Sequence, residues 1–230
     1  MANHKANPMK KLNRKQRNLL IAGAVIVFAA FAFFISPARQ VLIEEGGVPS
    51  KKEMLESPTM LGEVRMGSER APVTIIEYSS FTCPHCANFH NKTLPKLQKY
   101  IDRGDVQIWF RPFPLNTLSL AASMLVQCSS AENRLAVTDM LFKRQRQWAR
   151  AEKPGIILEQ LARQVGFSAE EFRSCLSDAA LLQSIEKVKK EAADILNVNA
   201  TPSFFINGQK VASNISFEEM EKIILKKLGR

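Results

Sequence analysis

The sequence predicts an α/β fold with a helical domain inserted into it. Two short runs, residues 73–78 and 106–110, are rich in β-branched and aromatic side chains, as buried strands are, and a segment with helical spacing separates them. A helical block follows, from about residue 113 to residue 196, before the chain returns to strand composition. This order of elements indicates an α/β domain with a helical insertion.

The helix after the first strand covers residues 87–100 in the prediction. Its apolar residues recur at roughly helical spacing and would form the buried face: Phe89, Leu94, Leu97 and Ile101. Pro95 lies inside this pattern and cannot donate to the helical hydrogen-bond ladder. We therefore expect a kink near Asn91.

The helical block contains five predicted helices, and the chain ends in a hairpin and a helix. The helices cover residues 118–129, 131–148, 156–165, 169–175 and 178–196. Ser168 with Glu171, and Ser216 with Glu219, have the spacing of capping boxes. Asn207-Gly208 is a strong hairpin signal and predicts strands at 203–206 and 209–212. The last helix would bury Met220, Ile223, Ile224 and Leu228.

The positive charge of the chain is concentrated at its N-terminus. The 230 residues carry a formal net charge of +10, of which the first 18 residues contribute six basic side chains and no acidic one. The remaining charges are interleaved, and no nucleic-acid motif is present. The basic N-terminus therefore indicates membrane topology rather than nucleic-acid binding.

Residues 19–35 form an uncharged apolar run that predicts a membrane segment. As a helix it would reach ~26 Å, close to the ~30 Å of a hydrocarbon core. Ser36-Pro37-Ala38 is a poor cleavage site, which favours an uncleaved anchor over a signal peptide. The positive-inside rule then puts the N-terminus in the cytoplasm and the domain on the periplasmic side. A cleaved signal would deliver a soluble domain to the same oxidising compartment.

The predicted organisation has four parts. Residues 1–18 form a basic cytoplasmic leader, residues 19–36 the anchor or signal, residues 37–70 a linker with a short edge strand at 61–66, and residues 71–230 the folded domain. Between the anchor and Ala71 we see no dimerisation domain, so a monomer is expected.

Cys83-Pro84-His85-Cys86 lies where the first strand gives way to the helix. Two thiols at this spacing can form a disulfide and reopen it by exchange, and at a strand-to-helix junction this is the redox arrangement of the thioredoxin-like fold. Cys83 at the helix start is the predicted nucleophile, because free amides and the helix dipole favour its thiolate. Cys86 should be more buried, and His85 could stabilise the Cys83 thiolate.

A structural cysteine pair or half of a metal site is the alternative for this motif. A zinc site needs four ligands, and Cys128 and Cys175 are distant in sequence. His90 is a candidate third ligand, but we expect it on the exposed face of the helix. The sequence therefore predicts redox chemistry without a bound metal.

Three further features accompany the motif. Pro202, after Thr201 and before a strand, is the expected place of a cis-proline that exposes the preceding backbone to an extended substrate. Glu77 lies in a buried strand, where an ionised carboxylate is energetically costly unless it has a function or a partner. It is predicted to accept or relay the Cys86 proton. The alternative is an edge glutamate paired with a lysine. Cys128 and Cys175 are expected to form a structural disulfide, or else to be two free buried thiols.

Together these residues resemble the DsbA family of thiol:disulfide oxidoreductases. The specific marks are Glu77, the run 81–86, the insertion from about 113 to 196, and Thr201-Pro202 before the strand. The resemblance covers the chain from Ala71 onward. The predicted anchor and the second cysteine pair resemble the membrane-anchored and alphaproteobacterial branches.

The resemblance implies a periplasmic oxidase with no cofactor. It would donate its disulfide to newly exported, cysteine-containing proteins and be reoxidised by a membrane partner of the DsbB type. Cys83 carries over as the nucleophile, Cys86 as its partner, His85 as the tuning residue and Pro202 as the cis-proline. A low thiol pKa and strong oxidising power are also family expectations.

Thr201 departs from the family pattern, because many members have valine before the cis-proline. Threonine there resembles isomerases and some reductases, which makes an isomerase or reductase on the same fold the second hypothesis. A redox-poor chaperone or metal-binding module is the third.

Overall fold

A computed structural model describes residues 49–230, and its centre is a mixed β-sheet. The strands of this part of the chain are β1 (Val64–Met66), β2 (Val73–Ser79), β3 (Val106–Pro112), β4 (Ser203–Ile206) and β5 (Gln209–Val211). They pair in the order β1-β3-β2-β4-β5. β2 and β3 are parallel, and the other neighbouring pairs are antiparallel. The predicted strand–helix–strand unit and C-terminal hairpin are therefore confirmed.

Helices surround this sheet. α1 (Lys51–Glu56) precedes β1, whereas α2 (Pro84–Asn88), a π-helical segment (Phe89–Thr93) and α3 (Leu94–Asp102) connect β2 to β3. The insertion between β3 and β4 consists of α4 (Thr117–Cys128), α5 (Arg134–Lys143), α6 (Gln145–Trp148), α7 (Pro154–Gln164), α8 (Ala169–Leu176) and α9 (Ala179–Leu196). α10 (Phe217–Lys227) ends the fold.

β2 is buried on both faces, which explains its nearly continuous apolar sequence. Val73 and Ile75 point into the larger core, formed with α2, α3, the insertion and α10. Ile76 and Tyr78 point into a second core, closed by Leu55 of α1 and by the end of α9. The strand that leads to Cys83 is thus held from both sides.

Local sequence signals account for several element boundaries. Both predicted capping boxes are present at the starts of α8 and α10. Asn207 and Gly208 have φ values of 44° and 78°, the positive pair that a two-residue type I′ hairpin requires. Near Asn91, where the kink was predicted, the ladder becomes π-helical, and the Leu94 amide donates to the carbonyl of Phe89 five residues earlier.

Two predicted boundaries were wrong. The helix predicted at 131–148 is interrupted at Arg144, which has φ −100° and ψ 11°, and this turn lets Gln145 and Trp148 face inward. The linker predicted at 37–70 is folded from Lys51 onward, since Leu55 packs on the sheet. The buried Arg111 guanidinium also holds this segment, by donating to backbone carbonyls at its end.

A disulfide joins Cys128 at the end of α4 to Cys175 in α8, the pairing expected from the sequence. It closes a loop with a sequence separation of 47 residues inside the helical insertion. By restricting the unfolded chain, a loop of this length stabilises the fold by roughly 3–4 kcal/mol.

The predicted leader, the membrane segment and the first part of the linker lie outside the described residues. Within residues 49–230, the helices are too short or too polar for any of them to cross a bilayer.

Candidate active site

Cys83 and Cys86 occupy the junction between β2 and the helical connection to β3. Cys83 is the N-cap residue of α2, with φ −80° and ψ 121°, and Pro84 follows at the start of the helix, where its missing amide hydrogen costs nothing. Both cysteines are free thiols in this structure. Cys86 is fully buried, whereas Cys83 is 8% exposed, as predicted for a nucleophile in front of a buried partner.

Hydrogen bonding to its sulfur sets the character of Cys83. A hydrogen bond from the Cys86 thiol lowers the pKa of Cys83 to about 5, against the opposing effect of burial. The Thr201 side chain and the backbone amides of Cys86 and His85 lower this pKa further. Cys83 is therefore a thiolate at neutral pH, and the thiolate is the reactive form.

The pKa of Cys86 is shifted in the opposite direction. Burial raises the pKa of the Cys86 thiol, and its hydrogen bond to Cys83 and the negative charge of Glu77 act in the same direction. Cys86 is therefore a proton-bearing thiol that donates to its neighbour. The two sulfurs of one motif thus have distinct chemical roles.

The register of β4 brings Thr201 and Pro202 to these sulfurs. β4 runs antiparallel to β2 with Ser203 opposite Tyr78, so the residues before β4 lie beside the chain that leaves β2. The Cys83 sulfur lies 3.3 Å from the Thr201 carbonyl oxygen, to which it donates when it is protonated. The Thr201-Pro202 bond is cis, as expected. The Thr201 Oγ1 is buried and has no hydrogen-bond partner in residues 49–230, so it is free to donate to a thiolate.

Glu77 is fully buried in the central strand and lies close to the active-site helix. Its Oε2 lies 2.8 Å from Nε2 of His90, and its Oε1 has no hydrogen-bond partner among the described residues. The alternative of an edge glutamate paired with a lysine is thus wrong. The negative charge of Glu77 raises the pKa of the Cys86 thiol, while the predicted proton transfer between them stays a prediction.

His90 is buried, and its prediction as an exposed residue was wrong. It is 4% exposed and stacks on the ring of Phe142 with centroids 3.9 Å apart. The reason is helical geometry: His90 is four residues after Cys86 and so shares its inward face. This spacing from a cysteine expected to be buried was a signal that the sequence already contained.

His85 is exposed, and its imidazole makes no hydrogen bond with any residue of the described region. Its backbone amide is what acts on Cys83 here, so the tuning role of the imidazole stays a prediction. The third-ligand role considered for His90 is also changed, since its Nε2 faces Glu77. Residues 49–230 contain no group of three or more histidine, cysteine, aspartate or glutamate side chains arranged to hold a metal.

Gln145 contacts the active-site loop and was not identified from the sequence. Its Nε2 donates to the carbonyl oxygens of Phe81 and Cys83, at 2.8 Å each. The Ser119 hydroxyl accepts the Phe81 amide hydrogen at 2.9 Å. Both side chains are buried, so the insertion holds the loop that presents Cys83. Only a break in the helical pattern before Gln145 could have revealed its inward direction.

Replacing Gln145 with leucine is expected to destabilise the protein by about 1–3 kcal/mol, because the carbonyls of Phe81 and Cys83 would lose a buried donor. Denaturant unfolding of the reduced protein measures this change. Gln147→Leu is the matched control, because Gln147 is exposed on the same short helix and should change stability by less than about 0.5 kcal/mol. Equal stability of the two variants would mean that other contacts hold the loop.

Comparison with known proteins agrees with this geometry. The sequence model of the family described as Thioredoxin matches residues 59–226. The crystal structure of Wolbachia pipientis alpha-DsbA1 superposes with a TM-score of 0.71 at 28% identity, covering 78% of this chain and 96% of that chain. Disulfide bond formation protein D of Bacillus subtilis is 25% identical over 180 residues, which are 74% of this chain and 79% of that protein.

A Rickettsia bellii protein named "Putative protein-disulfide oxidoreductase" is 32% identical over 145 residues, or 62% of this chain. The match spans only 56% of the length of that relative. The family model, in contrast, covers most of the present chain, including both cysteines and the cis-proline. The chain therefore belongs to the thioredoxin family, and the relatives and structures it resembles carry the names of protein-disulfide oxidoreductases and DsbA proteins.

Proposed function

We propose that this protein introduces disulfide bonds into exported proteins through Cys83 and Cys86. The observation that carries the proposal is the unequal placement of the two sulfurs, with Cys83 at the N-cap of α2 and Cys86 fully buried behind it. A stabilised Cys83 thiolate favours the reduced form, and a protein whose reduced form is stabilised has a strongly oxidising disulfide.

The reaction starts from the Cys83–Cys86 disulfide. A substrate thiolate attacks Sγ of Cys83, the sulfur–sulfur bond to Cys86 breaks, and Cys86 leaves as a thiolate that takes up a proton. A second substrate thiolate then attacks the substrate sulfur bound to Cys83. The substrate disulfide forms, and Cys83 leaves as a thiolate. A low leaving-group pKa speeds this second step.

The surroundings of Cys83 suit unfolded substrates. The Thr201 carbonyl lies next to Cys83, where the backbone of an extended peptide could pair with this segment. Leu115 is 52% exposed, and its amide donates to Ser80, three residues before Cys83. Leu115 thus adds an exposed apolar side chain to the segment that contacts the loop before Cys83.

The proposal includes the cellular location of the enzyme and its redox partner. The basic leader and the apolar run 19–35 support an anchor in the inner membrane, with a monomeric catalytic domain on the periplasmic side. An oxidase reduced by each substrate needs an electron acceptor, and a membrane partner of the DsbB type would supply that role. Thr201 favours the second candidate, an isomerase or reductase on the same fold, which would instead depend on a reducing membrane partner.

The redox equilibrium of Cys83 and Cys86 with glutathione tests the direction of the reaction. We expect a potential near that of strongly oxidising members of the family, about −120 mV, because the Cys83 thiolate stabilises the reduced form. Alkylation and mass spectrometry of the full chain, equilibrated in buffers of known glutathione ratio, measure it. A value near or below the about −270 mV of thioredoxin would contradict the oxidase and support the reductase or isomerase.

A further inference from the structure

Behind the two cysteines, Glu77 and His90 form an isolated buried pair. Their side chains are 0% and 2% exposed, and Oε2 of the carboxylate lies 2.8 Å from Nε2 of the imidazole. An ionised carboxylate loses the solvation of water at such a site, which is unfavourable unless donors replace that water. In the part of the chain that the structure describes, the His90 Nε2 is the side-chain donor that reaches Glu77.

The position of the imidazole is determined by aromatic packing. His90 stacks on Phe142 from the insertion, and the ring of Phe110 in β3 lies 5.0 Å from it. The preceding Phe89 meets the imidazole edge-on. Since these neighbours do not titrate and a carboxylate can only accept, Nε2 carries the hydrogen that bonds to Glu77.

The pair is directed towards Cys86 rather than Cys83. Cys86 and His90 are one helical turn apart on the same inward face, and the charge of Glu77 raises the pKa of the Cys86 thiol. The largest influences on the pKa of Cys83 come instead from Cys86, burial, Thr201 and the backbone amides of the helix start. The Oε1 of Glu77 is buried without a hydrogen-bond partner in residues 49–230, so it is free to accept a proton.

We infer that His90 is a positioning residue for the exchange reaction. By donating from Nε2 to Oε2 of Glu77, it holds this buried carboxylate in position and leaves Oε1 free to accept the proton of Cys86. The titratable groups around the imidazole are Glu77 from β2 and Cys86 from the active-site helix, while β3 and α5 contribute the aromatic rings of Phe110 and Phe142.

The inference rests on the proposed function and concerns one step of it. In this step, Cys86 of the same chain resolves a mixed disulfide on Cys83. Cys86 loses its proton to Glu77 and attacks Sγ of Cys83. The Cys83–Cys86 bond forms, the bond to the partner sulfur breaks, and the partner leaves as a thiolate. The proton held by Glu77 then passes to solvent or to that leaving thiolate.

Two substitutions at His90 separate hydrogen-bond donation from shape and from titration. His90→Phe keeps an aromatic ring on Phe142 and removes the donor. His90→Gln carries a side-chain amide N–H at nearly the position of Nε2 but does not titrate. The full reduced chain is mixed with oxidised glutathione between pH 5 and 9 and quenched with acid. Mass spectrometry then follows the formation of the glutathione mixed disulfide at Cys83 and its closure by Cys86.

In His90→Phe we expect closure to be roughly tenfold or more slower at pH 7, with its pH profile displaced upward by about one to two pH units. Formation of the mixed disulfide should be unchanged, because it depends on Cys83. His90→Gln should retain the wild-type closure profile. An unchanged profile in His90→Phe would overturn the inference, and equal slowing in His90→Gln would too, because it would assign the effect to titration of the imidazole.

Two further variants serve as controls for this test. His90→Leu is a second donor-free variant if the phenylalanine does not fold, with circular dichroism as the check. Glu77→Gln should slow closure by itself, and adding His90→Phe to it should slow closure no further; additive effects would contradict the inference. Closure of the glutathione mixed disulfide by Cys86 can be measured even if the redox potential is not oxidising. Failure of the proposed function is therefore distinguishable from failure of this inference.

Discussion

Cys83→Ser is expected to abolish thiol–disulfide exchange, because the only sulfur of the motif that reaches solvent in the described structure is lost. Cys86→Ser should instead react once and accumulate as a mixed disulfide, since the buried thiol that closes the ring is missing. The measurement is oxidation of a peptide with two cysteines by the full chain, with mass spectrometry of the trapped species.

The second cysteine pair provides the control for this experiment. A Cys128→Ser, Cys175→Ser variant should retain exchange while losing roughly 3–4 kcal/mol of stability, because its disulfide constrains the insertion rather than the motif. Residual activity in a Cys83→Ser, Cys86→Ser variant would contradict the proposed oxidoreductase function and favour a chaperone or other binding module.

The stability of the reduced protein is expected to depend on pH through Cys83. The pKa of this thiol falls from an ordinary value of 9.0 to about 5 on folding. A lowered pKa contributes stability that is fully present above the unfolded value and is lost as pH falls through about 5. With allowance for solvent screening, the contribution at pH 7 is on the order of 2 kcal/mol.

Denaturant unfolding of the reduced and oxidised protein between pH 4 and 9 measures this contribution. The reduced form should be the more stable one at pH 7, and the difference should shrink towards pH 4. Absorbance of the thiolate near 240 nm reports the Cys83 titration directly. Reduced Cys83→Ser is the control and should lack this pH dependence; a difference that stays constant with pH would contradict the argument.

Local signals in the sequence predicted most of the architecture correctly. The strand composition of residues 73–78 and 106–110, the Asn207-Gly208 turn and both capping boxes each depend on neighbouring residues, and all appear in the structure. The prediction of one continuous helix across Arg144 was wrong, because the interruption there does not depend on neighbouring residues. A single interrupted turn is set by inward packing of the residues that follow it, which a spacing pattern does not reveal.

Sequence patterns alone were enough to predict the chemistry that we propose for this protein. Cys83 and Cys86 at a strand-to-helix junction predict exchange, because two thiols at this spacing can form a disulfide and the junction supplies amides to one sulfur. Glu77 and Pro202 could be identified with them, since a carboxylate within an apolar strand and a proline before a strand are both recognisable from the sequence.

The identity of the side chains that act on those groups follows from tertiary packing. Gln145 is 62 positions from Cys83 and Thr201 is 118 positions from it, yet both contact it directly. His90 faces Glu77 across 13 positions because a helix and a strand pack face to face. Such contacts depend on which surfaces the sheet and the insertion bring together, and this is a property of long-range packing that local sequence patterns do not encode.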